Sequence, residues 1–140
     1  MPRLKLIPRD KYAFHTGIMI RTTDLNYGGH LGNDKLLSLI HEARVAFLKS
    51  HGFTERNCGG CSIILADTAI VYQGEGFAGD MLKFEVVAGE PSRCGFRLFY
   101  RVSRTGDGQP IALVENGVVC FDYDMRKTVS LPEVVRHICD

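Results

Sequence analysis

Between residues 36 and 48 the apolar positions recur at intervals of three and four. Leu36, Leu37, Ile40, Ala43, Arg44, Phe47 and Leu48 therefore share one face, and this spacing predicts an amphipathic helix over residues 34 to about 50 that Gly52 stops. After it the pattern becomes strand-like. Segments 61–73, 81–89, 92–104 and 110–124 are rich in Val, Ile, Phe and Tyr, and they are separated by residues 74–79, Glu90-Pro91 and Gly106-Asp107-Gly108. An earlier strand is predicted over 14–21, and Ser130-Leu131-Pro132-Glu133 opens a short carboxy-terminal helix. Asn116-Gly117 is a hairpin signal inside 110–124, but we expect one strand there carrying a bulge. Strands joined by short hairpins form an antiparallel sheet, and a single early helix buries its apolar face against it. The expectation is an α+β fold in one domain spanning 1–140.

The strand over 92–104 has two distinct faces. Cys94, Phe96, Leu98, Tyr100 and Val102 alternate with Arg93, Arg97 and Arg101. The basic face is either the solvated side of the sheet or a seat for phosphates, which the arginine fork suits.

The run from Asp24 to Asn33, Asp-Leu-Asn-Tyr-Gly-Gly-His-Leu-Gly-Asn, lies between the first strand and the helix. Its glycines at 28, 29 and 32 admit positive φ and close approach to a ligand. Asp24, Asn26, His30 and Asn33 concentrate acceptors, donors and one titratable ring in ten residues. The helix that follows offers amino-terminal amides to a polarised carbonyl or an anion. The plain alternative is a turn with an N-cap, to which Asn33 is suited.

Composition narrows the partners. Seventeen basic and sixteen acidic side chains leave a net charge of +1, which removes the electrostatic case for nucleic acid or an acidic membrane surface. The amino terminus carries Arg3, Lys5, Arg9, Asp10 and Lys11 and no long apolar run, so we expect neither a signal peptide nor a spanning helix, and a cytoplasmic protein. The five cysteines, at 58, 61, 94, 120 and 139, do not form a secreted disulfide framework. Cys58-Gly59-Gly60-Cys61 has the spacing of a dithiol or half a zinc site, but it lacks a second Cys/His pair. A glycine-rich loop is expected there, and no metal.

Strand, polar loop, helix and four-strand run occur in the order of the hotdog fold, and particular residues extend the likeness. The chain resembles the 4-hydroxybenzoyl-CoA thioesterase-like branch of hotdog acyl-CoA thioesterases. Asp24, Asn26, Gly29, His30 and Asn33 match its Asp-x-Asp-x-x-Gly-His-x-x-Asn loop, and Glu42-Ala43-Arg44 matches a Glu-Ala-Arg on its helix. Gly79-Asp80, Phe121 with Asp124, and Leu131-Pro132 follow in the same order. The resemblance implies a long antiparallel sheet wrapped around one central helix, a thioester of CoA or an acyl carrier as substrate, no cofactor, and a homodimer or a tetramer of dimers with the site between subunits. It makes the Gly29 and His30 amides the candidate oxyanion hole. Tyr27, Gly28, Asn33, Arg93 and Arg97 are candidate substrate contacts.

The departure lies at Asn26. In the family the second acid of the loop attacks the thioester or activates water, and an amide does neither at neutral pH. Asn26 can still hydrogen-bond a thioester oxygen or position a water. Three carboxylates are candidates for the missing base. Asp24, two residues before Asn26, points to the same side if the loop is extended. Glu42 lies roughly opposite the apolar stripe at about 100° per residue, facing solvent in a monomer or a neighbouring subunit's loop in a dimer. Asp67 interrupts the apolar strand 63–72, where an acid is either paired or functional. His30 is a candidate base, a carboxylate orienter or a loop brace. Two other readings remain. One is a hotdog enoyl-CoA hydratase, whose Asp-x-Asn-Pro-x-His is one residue shorter than the spacing from Asp24 to His30; the other is a non-catalytic acyl-CoA or acyl-carrier binder.

Overall fold

The computed structural model describes residues 3–140. Its elements are β1 (Phe14–Met19), a 3-10 turn (Thr22–Asp24), α1 (Asn33–Ser50), β2 (Ser62–Tyr72), β3 (Met81–Gly89), β4 (Gly95–Arg104), β5 (Pro110–Asp122), β6 (Lys127–Thr128) and α2 (Glu133–Arg136). The strands form one antiparallel sheet in the order β1-β3-β4-β5-β2, with β6 extending from β5. The helix and the four long strands fall where the pattern places them. The two-residue β6 carries no period to read.

α1 lies across one face of the sheet. Leu36, Leu39, Ile40, Ala43, Phe47 and Leu48 are buried against Phe84, Phe96, Leu98, Tyr100 and Val114, forming a single core. Each large side chain so buried contributes about 1.5–3 kcal/mol. The stripe is rotated from the expected one: Leu37 is 46% exposed and Leu39 takes its place in the core.

β5 runs unbroken through Asn116 and Gly117. The bulge sits instead on its neighbour β2, where the register slips between Leu65 and Asp67 opposite Gly117. The Asn116 side chain points inward, 1% exposed, into a polar network beneath the helix. Its Oδ1 accepts from Arg44 Nη1 at 3.0 Å and from the Tyr100 hydroxyl at 2.6 Å, and its Nδ2 donates to Thr68 Oγ1 at 3.0 Å. Buried Arg44 also donates to Glu55 at 3.0 Å, and Glu55 pairs with His41 at 2.7 Å. Every buried side-chain polar atom described has a partner.

The opposite face of the sheet carries ion pairs and a strap. Arg101 is bidentate to Glu85. Arg9 lies 4.2 Å over the Phe99 ring and bonds Glu90 and Asp140, so the amino-terminal segment is fastened beside the last residue of the chain. Among the described residues no helix is long and apolar enough to cross a membrane.

Candidate active site

The polar loop is built from both ends inward. After β1, Ile20 stays tied to the strand β3 side, its amide donating to Asp80 O at 2.9 Å and its carbonyl accepting from Gly79 N at 2.8 Å. The chain then makes its 3-10 turn, which Asp24 closes. The Asp24 carboxylate is 2% exposed and accepts from the Arg21 backbone amide (2.8 Å), Nε (3.2 Å) and Nη2 (3.1 Å). The Arg21 guanidinium holds this carboxyl below the usual carboxylate range. Its carbonyl accepts from Gly32 N at 3.0 Å. Asp24 thus braces the loop and does not face the cleft as a free base.

Leu25 and Leu31 bridge as an antiparallel pair, and residues 26–30 form a tight turn between them. Asn26 N donates to His30 O at 2.8 Å, and Gly29 N donates to Asn26 O at 3.1 Å, with Gly29 at φ 81° where only glycine is unstrained. The Asn26 side chain fills the turn. Its Oδ1 accepts from Gly28 N at 2.9 Å and from His30 N at 3.4 Å, while Nδ2 faces His30 Nδ1 at 3.5 Å. The Gly29 and His30 amides expected at a thioester oxygen therefore donate within the loop. Tyr27 stands at the exposed tip. Leu31 N donates to Gly76 O at 2.7 Å, fastening the loop to the β2–β3 connection. Gly76 permits that approach, since a Cβ there would lie 2.5 Å from Ile20 Cδ1.

α1 begins directly beyond. Its N-cap is Gly32, with no side chain to satisfy the first-turn amides, and none of the Asn33, Asp34 and Lys35 amides has an acceptor among the described residues. A cleft of about 150 Å³ opens here, lined by His30, Asn33, Leu36, Tyr72, Glu75 and Ile111 among others. The Tyr72 hydroxyl donates to Asn33 O at 3.5 Å. The cleft therefore joins a helix amino terminus, an imidazole, a carboxylate and apolar walls. Glu75 and Tyr72 were not among the expected site residues. Gly74-Glu75-Gly76 reads as a linker, and only the contact between Leu31 and Gly76 brings it to the loop.

The other expected residues lie elsewhere. Glu42 is exposed on the side of α1 turned from the sheet. Asp67 sits at the β2 bulge on the face opposite α1, where Arg97 holds it with two bonds of 2.8 and 3.2 Å and also reaches Glu115 at 3.3 Å. That guanidinium lowers the Asp67 carboxyl, and Gly117 leaves room for the pair, since a Cβ would collide with both groups. Arg97 is thus occupied by carboxylates. Arg93 is exposed in the β3–β4 connection, with its carbonyl accepting from Leu131 N at 2.8 Å. Cys58 and Cys61 face each other as free thiols in a closed loop, with Cys58 N donating to Cys61 O at 2.7 Å. Burial pushes the Cys58 thiol up to about 12. Among the described residues no group of three His, Cys, Asp or Glu has metal-binding geometry.

The sequence profile of the thioesterase-like superfamily matches residues 20–138, which span the loop, the cleft and every strand but β1. The chain belongs to this superfamily. A 1,4-dihydroxy-2-naphthoyl-CoA hydrolase of Synechococcus elongatus is 30% identical to it over 119 residues, covering 82% of this chain and 86% of that one. Among solved structures, a 1,4-dihydroxy-2-naphthoyl-CoA thioesterase from Synechocystis superposes with a TM-score of 0.80 at 22% identity, covering 89% of this chain and 93% of its own. A Thermus thermophilus thioesterase complexed with coenzyme A and Zn gives 0.79 at 19% identity, covering 91% and 98%. These superpositions establish the hotdog thioesterase fold. The activity that accompanies this thioesterase membership is hydrolysis of an acyl-CoA thioester.

Proposed function

We propose that this thioesterase hydrolyses its acyl-CoA by direct attack of water in the cleft at the start of α1. The observation that carries this reading is the convergence of the uncapped α1 amides, His30 and Glu75 on one small cavity, in a chain whose loop holds an amide at Asn26. The thioester oxygen lies toward the α1 amides, beginning at Asn33, where the helix dipole favours developing negative charge. Glu75 accepts a proton from water as the water oxygen bonds to the carbonyl carbon. Collapse breaks the C–S bond, and the CoA sulfur leaves with the proton that Glu75 returns. The products are a carboxylic acid and a thiol, and no covalent enzyme intermediate forms. Asn26 shapes the turn and does not attack.

The reading includes self-association and a cytoplasmic setting. β2 is an 11-residue edge strand with a free row of backbone groups and exposed Leu65 and Tyr72, which suits pairing with a second copy. Five free thiols suit a reducing compartment.

Thiol release from short, long, aromatic and 1,4-dihydroxy-2-naphthoyl-CoA esters tests the proposal. Wild type is expected to turn over at least one, and Glu75→Gln to lower kcat by about 10²–10⁴-fold with little change in KM. An unchanged Glu75→Gln removes Glu75 as the base. CoA-ester binding without turnover supports the binder reading, and loss of an enoyl-CoA without thiol release supports the hydratase.

A further inference from the structure

We infer that Asn26 is a positioning residue that fixes the tautomer of His30, so that His30 serves as a hydrogen-bond donor to the thioester carbonyl and not as a base. The inference rests on the thioesterase reading and concerns the same cleft. An asparagine side chain has two orientations, and here the backbone selects one. The Gly28 amide, at 2.9 Å, and the His30 amide, at 3.4 Å, both require an acceptor, so the oxygen faces them. The amino group is thereby turned toward His30 Nδ1, at 3.5 Å. A group that only donates makes Nδ1 the acceptor, and the neutral ring then carries its proton on Nε2. Nε2 lies on the Gly28 side of the ring, where a Cβ on Gly28 would be 3.2 Å away, and His30 is one of the residues that line the cleft beside Asn33.

The consequence for chemistry is specific. A ring protonated at Nε2 has no lone pair there with which to take a proton from water, but it offers an N–H to an oxygen that gains negative charge. Replacing Asn26 by the acid typical of the family would reverse this. The carboxylate would keep one oxygen on the two amides and present the other to Nδ1, which would then hold the proton and leave Nε2 as an acceptor. A side chain that merely shaped the turn would have no such effect on the ring.

Nitrogen-15 NMR of histidine-labelled protein tests the assignment, with His30 identified among the five histidines by its absence from His30→Gln. Wild type is expected to show an unprotonated Nδ1 and a protonated Nε2, and Asn26→Asp to exchange the two. In thiol release, His30→Gln restores a donor without a base and is expected to stay within about tenfold of wild type, whereas His30→Ala loses about 10²–10³-fold in kcat. A wild-type ring protonated at Nδ1, a ring indifferent to Asn26→Asp, or a His30→Gln as inactive as His30→Ala overturns the inference. If Asn26→Asp fails to fold, the wild-type shifts and the His30 pair still decide it. If wild type hydrolyses no CoA ester, the hydrolase reading falls, and the ring shifts report the tautomer regardless.

Discussion

At the scale of single residues, the same polar group does different work according to what surrounds it. Asp24 and Glu75 are both carboxylates near the loop, yet Asp24 is enclosed by three donors of Arg21 while Glu75 lines a cavity. Asp24 consequently belongs to stability. Its folded pKa lies below the ordinary value of about 3.9, so its contribution is present above that value and is lost as pH falls through the lowered folded value. Asp24→Asn is expected to be less stable than wild type at neutral pH and to lose less on acidification. Thermal melts between about pH 6 and pH 2 check this, and parallel acid limbs for the two proteins would refute the assignment. The sequence made the loop legible as a site because its residue types are unusual in that density. It did not say which carboxylate is free, since that depends on Arg21 turning back over Asp24 and on Gly76 receiving Leu31, and neither is a matter of spacing.

At the scale of elements, periodicity placed the helix and the strands because each has one face in the core. The same rule misjudged Leu37, which shares the turn with Leu39 and differs only in which flank of the stripe the sheet covers. Nor does periodicity explain a buried arginine. Arg44 sits in the apolar stripe because Asn116 and Glu55 accept from it, while Tyr100 donates to the same Asn116 oxygen, which makes the helix–sheet contact directional. Arg44→Leu removes one member and leaves the others facing an apolar side chain, so a loss of about 3–5 kcal/mol is expected from urea unfolding. The double change Arg44→Leu with Glu55→Leu should cost less than the sum of the single ones, as coupled partners do. Strict additivity would mean that the network is incidental. The bulge is a further case: Asn116-Gly117 marks its place, but the extra residue falls on the facing strand β2, between Leu65 and Asp67, while the Asn116 side chain is held from below by Arg44.

For the whole molecule, the proposed self-association draws on the free β2 edge. Leu65→Lys and Ala66→Lys place charges on that edge without touching the core. Wild type is expected to sediment as a multiple of 15.6 kDa and these variants as a single chain. A wild type that sediments at 15.6 kDa would sink the self-association proposal while leaving the cleft chemistry testable. The ends of the chain have a different consequence. The strap of residues 5–10 and Asp140 meet around Arg9 on the face of the sheet turned away from α1, while the cleft opens at the start of that helix. A tether or surface attachment joined beyond Asp140 would therefore leave from the back of the molecule, so the protein can be immobilised through that residue with its substrate entrance facing away.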